Sequence, residues 1–114
     1  MPFPKIAQPL PRAGDAHASG EKWDGWILAA RGHGPEWARV FRAGLDDRER
    51  IWSAIAAAII DAPVTAIRDR PPHGVVCGVE VTVTINDRTA PIATSWHYPD
   101  EQAAPRLVTA YPSA

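Results

Sequence analysis

The residues that could do chemistry lie in the second half of the sequence, on segments of alternating polarity. Arg68 and Arg70 precede a Pro-Pro-His-Gly turn that contains His73, and His97 lies in a later segment. Histidine exchanges protons near neutral pH, and arginine holds phosphate through a planar fork of N–H donors. Further hydroxyl and guanidinium candidates are Thr82, Thr84, Ser95, Arg106, Thr109 and Tyr111. This inventory suits metal-independent RNA cleavage, in which a base takes the 2′-hydroxyl proton, an acid protonates the leaving 5′-oxygen and cations hold the phosphate.

Other chemistries have less support in the sequence. The four histidines form no i,i+4 pair and no Cys–His spacing, so no metal site is predicted. No glycine-rich loop joins a strand to a helix, and no G-x-S-x-G elbow accompanies Ser95, so we expect neither a nucleotide cofactor nor a serine triad. The single cysteine, Cys77, lies among valines and is expected to be a small buried hydrophobic residue rather than a nucleophile.

Each candidate also has an ordinary structural interpretation. His97 on a half-exposed strand can be a surface histidine, and His73 can simply occupy a turn. The arginines can be solvated cations, and Thr82 and Thr84 favour strands whatever their function. A catalytic interpretation therefore requires that the fold bring these groups together, which depends on the strand register.

The strands that must position these groups are predicted after Pro63, where the apolar period changes from 3.6 to 2. The segment 64–68 reads as a short strand, and Val75 to Ile85 alternates apolar and polar residues over its whole length. Residues 86–88 read as a turn, and strands are predicted over 92–98 and 106–111 with a loop over 99–105 between them. Alternation of this kind predicts an antiparallel sheet that is covered on one face only.

Three helices are predicted before the sheet. The first begins after Ser19 and has Trp23, Trp26, Ile27 and Ala30 at helical spacing up to Gly32. The second opens at Gly34-Pro35, and the third begins near Asp46 or Asp47 and is expected to end at Pro63. Their apolar stripes are Trp37, Val40, Phe41 and Leu45 for the second, and Ile51, Trp52, Ile55, Ile59 and Ile60 for the third. The fold class is therefore α+β, with the N-terminal helices packed on one face of a C-terminal four-stranded antiparallel sheet.

Size and composition limit the domain organisation. A chain of 114 residues with 46% hydrophobic residues is expected to form one domain. Residues 1–18 hold four prolines and are predicted to form an extended strap, in which Phe3, Ile6 and Leu10 could tuck into grooves, and 19–114 form the single α+β domain. The net charge of −1 gives no overall basic footprint for nucleic acid, although a local cluster could still serve. No apolar stretch is long enough for a membrane span or typical of a signal peptide, so we expect no membrane contact. The expected location is cytoplasmic, or the cytoplasm of a target cell if this is a toxin domain.

Several segments resemble a bacterial toxin-associated domain family. They are Lys22 with Trp26-Ile27-Leu28, Gly34 with Ala38-Arg39-Val40-Phe41, Thr94-Ser95-Trp96 and, most specifically, the closing Pro105-Arg106-Leu107-Val108-Thr109-Ala110-Tyr111-Pro112. Members often carry a lysine where this chain has Trp37. The order of elements and the ending also resemble the barnase–EndoU–colicin–RelE ribonuclease superfamily, which implies Thr109 and Tyr111 at the active site. EndoU-like enzymes use two histidines and a lysine; His73 and His97 could stand for the histidines, but no lysine follows Lys22.

Two functions from different classes follow as expectations. The first is a metal-independent endoribonuclease-like toxin domain with RNA as its substrate, a possible cognate immunity protein or antitoxin as its partner, and no cofactor. Its predicted catalytic residues are His73, His97, Arg68, Thr109 and Tyr111, and its predicted substrate-binding residues are Arg70, Thr82, Thr84, Ser95 and Arg106. The second is a non-catalytic immunity or adaptor protein that binds a partner through the same face. A third alternative is a relative that has kept the fold and lost its catalytic groups.

Overall fold

The computed structural model describes residues 3–113. Helix α1 (Gly20–Lys22) continues directly into a π-helical turn (Trp23–Ile27), and α2 (Gly34–Phe41) and α3 (Arg48–Ala58) follow. Short 3₁₀ turns precede α1 at Ala13–Asp15 and α3 at Leu45–Asp47. The second half of the chain forms four strands, β1 (Val64–Asp69), β2 (Val75–Ile85), β3 (Arg88–Tyr98) and β4 (Arg106–Pro112).

The four strands form one antiparallel sheet in the order β1-β2-β3-β4, with the helices packed against it, so the predicted α+β class is confirmed. The bounds of β2 are those predicted, but β3 begins at Arg88 rather than Ile92. Pairing continues this far because the β2–β3 turn has only two residues, Asn86 and Asp87, both with positive φ. The Asn86 amide also donates to the carbonyls of Phe41 and Arg42, at 3.2 Å each, which joins this turn to the end of α2.

The core lies between the helices and one face of the sheet. Alternate residues of β2 and β3 point inward, and the neighbours of each point to the open face, as the alternation predicted. The largest fully buried side chains include Trp37, Phe41, Ile51, Ile55, Ile92 and Trp96. The burial of these apolar side chains is the main stabilising contribution to the folded domain.

One polar side chain is buried within this core and completes its hydrogen bonds there. Thr94 is 2% exposed, donates its hydroxyl to the Val79 carbonyl at 2.7 Å and accepts the indole N–H of Trp96 at 2.8 Å. The threonine therefore fixes the rotamer of Trp96 by giving its buried N–H a partner.

The first helix differs from the prediction because its second part is a π-helical turn rather than a continuation of the α-helix. The Leu28 amide donates to the Trp23 carbonyl, five residues back, so the first helix is α-helical only over Gly20–Lys22. The wider turn aligns Trp23 with Ile27 toward the core and rotates Trp26 away from it, so the prediction of a single apolar stripe was wrong at Trp26.

Two further apolar positions were assigned to helix stripes but are exposed. Leu45 lies in the 3₁₀ turn before α3, because α2 ends in a left-handed residue, Arg42. Ile60 lies beyond α3, which ends at Ala58 rather than at Pro63, so Ile60 does not continue the helical stripe and is exposed.

The N-terminal segment contacts both edges of the sheet. Ile6 pairs with Val64 at the start of β1, and His17 pairs with Arg106 at the start of β4. Between them Leu10 is buried, whereas Ile6 remains exposed. The strap therefore packs along the core side for part of its length. The predicted boundary between a strap of 1–18 and a domain of 19–114 stays a prediction. Residues 1, 2 and 114 lie outside the described residues.

Candidate functional site

A row of side chains crosses all four strands on the open face of the sheet. Arg68 of β1 lies opposite Val76 of β2, Val76 opposite His97 of β3, and His97 opposite Arg106 of β4. Directly opposed residues on one face are close enough for side-chain contact. The register therefore places a histidine between cations at the end of the sheet where β2 begins.

Part of this row forms one wall of a cleft of about 550 Å³. The cleft is lined by Lys22, Arg70, Pro71, His73, Val76, His97, Arg106 and Val108. Among residues 3–113 no Asp or Glu lines it, and none of the described ion pairs includes Lys22, Arg70 or Arg106. A concave site with several unneutralised cations attracts anions, and phosphate in particular suits guanidinium forks.

His97 is held by hydrogen bonds at both ring nitrogens. Its Nε2 lies 2.6 Å from the His73 carbonyl, and its Nδ1 lies 3.2 Å from an Arg106 guanidinium nitrogen. A carbonyl only accepts and a guanidinium only donates, so this geometry assigns the neutral tautomer with hydrogen on Nε2. His97 therefore connects the loop that carries His73 to the strand that carries Arg106.

A β-bulge shapes the β4 wall of the cleft. Ser95 pairs with Thr109 and Trp96 pairs with Leu107, so Val108 is the additional residue on β4. A bulge re-aims side chains and is frequent beside functional sites. Here it brings Val108 to the cleft next to Arg106 and leaves Thr109 on the open face.

The remaining predicted residues lie outside this cleft. Arg68 and Ser95 line a smaller cleft of about 290 Å³ on the other side of Val76. Thr82 and Thr84 point to the open face farther along β2, where the Thr84 hydroxyl lies 2.7 Å from that of Thr89.

The two predicted catalytic residues of the closing motif, Thr109 and Tyr111, contact aromatic side chains from the first half of the chain. The Thr109 hydroxyl accepts the indole N–H of Trp26 at 3.1 Å. The Tyr111 ring stacks on the His33 ring with centroids 4.5 Å apart. The structure thus brings His73, His97, Arg70 and Arg106 together. Thr109 and Tyr111 lie instead beside a neighbouring aromatic cluster, which consists of the rings of Trp26, His33 and Tyr111.

A family model described as a domain of unknown function, DUF6883, matches residues 10–114. The chain belongs to this family. The match includes every residue that lines the cleft and every member of the aromatic cluster. Nothing matches among curated proteins, and nothing matches among solved structures. DUF6883 membership by itself indicates no activity.

The sequence did not predict a role in the site for three residues of this DUF6883 domain, one in the cleft and two in the aromatic cluster. Lys22 lines the cleft, but the sequence indicated it only as the start of a segment that resembles a known family. Trp26 was predicted to belong to a core stripe, although it is exposed. His33 was given no predicted role. Lys22 and Trp26 are four residues apart, but Trp23 and Ile27 have the same spacing and are buried, so spacing gave no signal that separates the two pairs.

Three other findings concern the described residues. Cys77 is 1% exposed, and burial raises the pKa of its thiol from the ordinary 9.0 to about 12, so the expectation of a buried hydrophobic cysteine is confirmed. Within residues 3–113, no three His, Cys, Asp or Glu side chains cluster as a metal site would require, and no helix has the length and apolar character needed to cross a membrane.

Proposed function

We propose that this domain cleaves RNA at a phosphodiester, with the cationic cleft as its active site and no metal ion in the reaction. The observation that carries the proposal is the cleft itself, which combines a solvent-accessible histidine, His73, with Lys22, Arg70 and Arg106 and has no acidic residue in its described lining. These groups fit best an anionic substrate that loses one proton to the protein and receives another from it during the reaction.

The proposed reaction is an internal transfer at phosphorus. A base removes the proton of the 2′-hydroxyl, the 2′-oxygen forms a bond to phosphorus, and the bond from phosphorus to the 5′-oxygen breaks. An acid gives a proton to the departing 5′-oxygen. The products are a 2′,3′-cyclic phosphate and a 5′-hydroxyl, and no oxidant, reductant or water is consumed.

The geometry supports different roles for the two histidines. His73 lines the cleft, and no hydrogen bond among the described residues engages its ring nitrogens, so its ring is available for proton transfer. Both ring nitrogens of His97 are engaged, by the His73 carbonyl and by Arg106. We therefore assign His73 as the acid/base residue and His97 as a positioning residue that holds the His73 loop and the Arg106 guanidinium.

The three cations supply charge for the phosphate. Arg106 uses one guanidinium nitrogen for His97, and its remaining N–H groups can reach an anion. Arg70 and Lys22 approach from the β1–β2 loop and from the end of α1. In this proposal they stabilise the charge that develops on the phosphoryl oxygens. The neutral His73 ring takes the 2′-hydroxyl proton, and the Lys22 ammonium gives a proton to the departing 5′-oxygen.

The test is cleavage of total tRNA by the purified protein in EDTA, with matched glutamine variants. Glutamine retains one donor and one acceptor but cannot exchange protons at neutral pH. His73→Gln should therefore lower kcat by about 100- to 10,000-fold. His97→Gln can still donate to the His73 carbonyl and accept from Arg106, so it should lose much less activity than His73→Gln. Arg88→Gln is the control, because Arg88 is at the opposite end of β3 from His97.

Two results would contradict this assignment. RNA that remains intact at high protein concentration would exclude the ribonuclease activity. Cleavage that His73→Gln leaves unchanged would show that the cleft is not the active site, while equal losses in both glutamine variants would remove the distinction between a proton-transfer role and a positioning role.

The setting of this activity belongs to the same proposal. RNA as substrate places the action in a cytoplasm, either that of the producing cell or that of a target cell if the domain is part of a toxin. A ribonuclease toxin requires an immunity protein or antitoxin that blocks it, and an acidic surface would complement the cleft. Induced expression that halts growth of a host, with rescue by His73→Gln, is the cellular test.

A second candidate function is a non-catalytic binding module, and one observation favours it. Beyond the cleft, the open face continues with small or apolar side chains at Gly78, Ala93 and Pro91, which a protein partner could cover. A protein that is harmless on expression, and whose His73→Ala and His97→Ala variants behave identically to it, would favour this function over the first.

A further inference from the structure

Trp26 is a large aromatic side chain that is fixed in position yet open to solvent. It is 45% exposed, its indole N–H donates to the Thr109 hydroxyl at 3.1 Å, and its ring meets the His33 ring edge-on at a centroid distance of 5.3 Å. A tryptophan that is held rigidly and exposed is typical of binding surfaces, because its ring loses little conformational freedom when a ligand covers it.

The local backbone is built to hold Trp26 in this place. The π-helical turn buries Trp23 and Ile27 and directs Trp26 outward. The following loop folds back so that the His33 amide donates to the Trp26 carbonyl at 3.0 Å. Gly32 makes this return possible, since a Cβ at that position would collide with the Trp26 carbonyl.

Two further contacts hold the His33 ring of the aromatic cluster in place. The His33 ring stacks on Tyr111 at an interplanar angle of 24°, and its Nδ1 lies 3.1 Å from a Glu36 carboxylate oxygen. Tyr111 itself lies on the open face of β4, two residue pairs beyond Thr109. The cluster therefore connects the π-helical turn, the start of α2 and β4, and its exposed member is Trp26.

This cluster adjoins the cationic cleft. Lys22 lines the cleft and is four residues before Trp26, and Val108 lines the cleft and directly precedes Thr109. Along β4, Arg106 and Thr109 are separated by about 10 Å of extended chain. A short run of nucleotides with a phosphate in the cleft can cover that distance with a neighbouring base.

We infer that Trp26 is a stacking platform for the base of an unpaired nucleotide whose phosphate lies in the cleft. The inference rests on the proposed function and specifies it, since it names single-stranded RNA as the substrate class. Stacking on an aromatic ring needs a base outside a duplex and is tolerant of sequence, because every base has a π-face. Charge complementarity with Lys22, Arg70 and Arg106 selects a nucleic acid as the occupant over an apolar peptide.

The test uses two fluorescent single-stranded oligonucleotides of equal length and charge. One is 2′-O-methyl RNA, which cannot be cleaved by 2′-oxygen attack, and the other carries abasic sites in place of its bases. Affinities are measured by anisotropy for the wild-type protein, Trp26→Ala, Trp26→Phe and the control Leu45→Ala, which shortens another exposed apolar side chain. Circular dichroism and thermal melting report whether each variant is folded.

We expect the wild-type protein to bind the base-containing chain about 5- to 150-fold more tightly than the abasic chain, a ratio that corresponds to one stacked base. Trp26→Ala should remove that preference without weakening abasic binding, Trp26→Phe should keep most of it, and Leu45→Ala should change neither affinity. The comparison of the two chains on the wild-type protein does not depend on any variant.

Three outcomes would overturn the inference. Equal affinity of the wild-type protein for both chains would exclude a stacking platform while leaving the phosphate-binding cleft intact. Equal weakening of both chains by Trp26→Ala would show that Trp26 acts through the fold rather than through a base. Failure of the wild-type protein to bind either chain would overturn the proposed function itself, and the subsite with it.

Discussion

The salt dependence of RNA binding is the most direct measure of how many cleft cations contact phosphate. The perturbation is the separate replacement of Lys22 and Arg70 by glutamine. Both side chains line the cleft, and neither belongs to a described ion pair. Arg106→Gln is less clean, because it also removes the 3.2 Å contact to His97. Arg88→Gln makes the same charge change at the other end of β3 and is the matched control.

The magnitude follows from counterion release. For a single strand, log K falls with log salt at a slope of about −0.7 for each neutralised phosphate. Three cationic contacts give a slope of about −2, so affinity should fall about 20-fold between about 50 and 200 mM salt. With one contact removed, the slope should be about −1.4 and the loss over the same range about 7-fold.

The assay is anisotropy of an uncleavable single-stranded oligonucleotide across a salt series, repeated for each variant. We expect Lys22→Gln and Arg70→Gln each to reduce the slope by about 0.7, and Arg88→Gln to leave it unchanged. A wild-type slope near zero would refute the assignment of the cleft to phosphate. An equal change in the control would show that overall charge, rather than the cleft, governs binding.

Three other predictions concern the elements that support the site. Thr94→Val leaves the Trp96 indole N–H unpaired in the core and should lower the free energy of unfolding by about 2 kcal/mol in urea titration; an unchanged midpoint would refute it. Burial raises the pKa values of Cys77 and Tyr98, so stability should be complete below about pH 9 and fall as the pH rises toward 12, and Cys77→Ala should make the decline of Tm with pH shallower. Asn86→Ala should cost about 1 to 2 kcal/mol by thermal melting, because it loses the amide bonds to α2 and keeps a positive φ without them, whereas Asn86→Asp should retain the turn.

The sheet could be predicted from the sequence because its alternation is long and uninterrupted. In β2, polar residues from Glu80 to Thr84 alternate with buried valines, and only one register puts Val79, Val81 and Val83 together in the core. The same rule placed His97 and Ser95 on the open face. The boundary of β3 was harder to predict, because Ala90 and Pro91 interrupt the apolar pattern while the backbone pairing continues to the two-residue turn.

The site could be predicted only in part, because its remaining residues come from elements without a long period. The π-helical turn differs from an α-helix by one residue in its hydrogen bonding, and no side-chain pattern in so short a segment marks that change. As a result Trp26 was assigned to the core and Lys22 received no role. The bulge at Val108 likewise depends on how β4 packs between its neighbours rather than on its own sequence.

The position of the cleft follows from how the chain closes the sheet. The β1–β2 loop supplies Arg70 and His73, β3 and β4 supply His97 and Arg106, and α1 supplies Lys22, so distant segments meet at one end of the open face. His97 joins the first two groups by bonding to the His73 carbonyl and to Arg106 at once. A neutral ring between a carbonyl and a guanidinium can do this at no charge cost, whereas a protonated ring would repel Arg106. One uncharged side chain therefore positions both the His73 loop and the Arg106 guanidinium at this end of the sheet, which is why we assign His97 to positioning and leave proton transfer to His73.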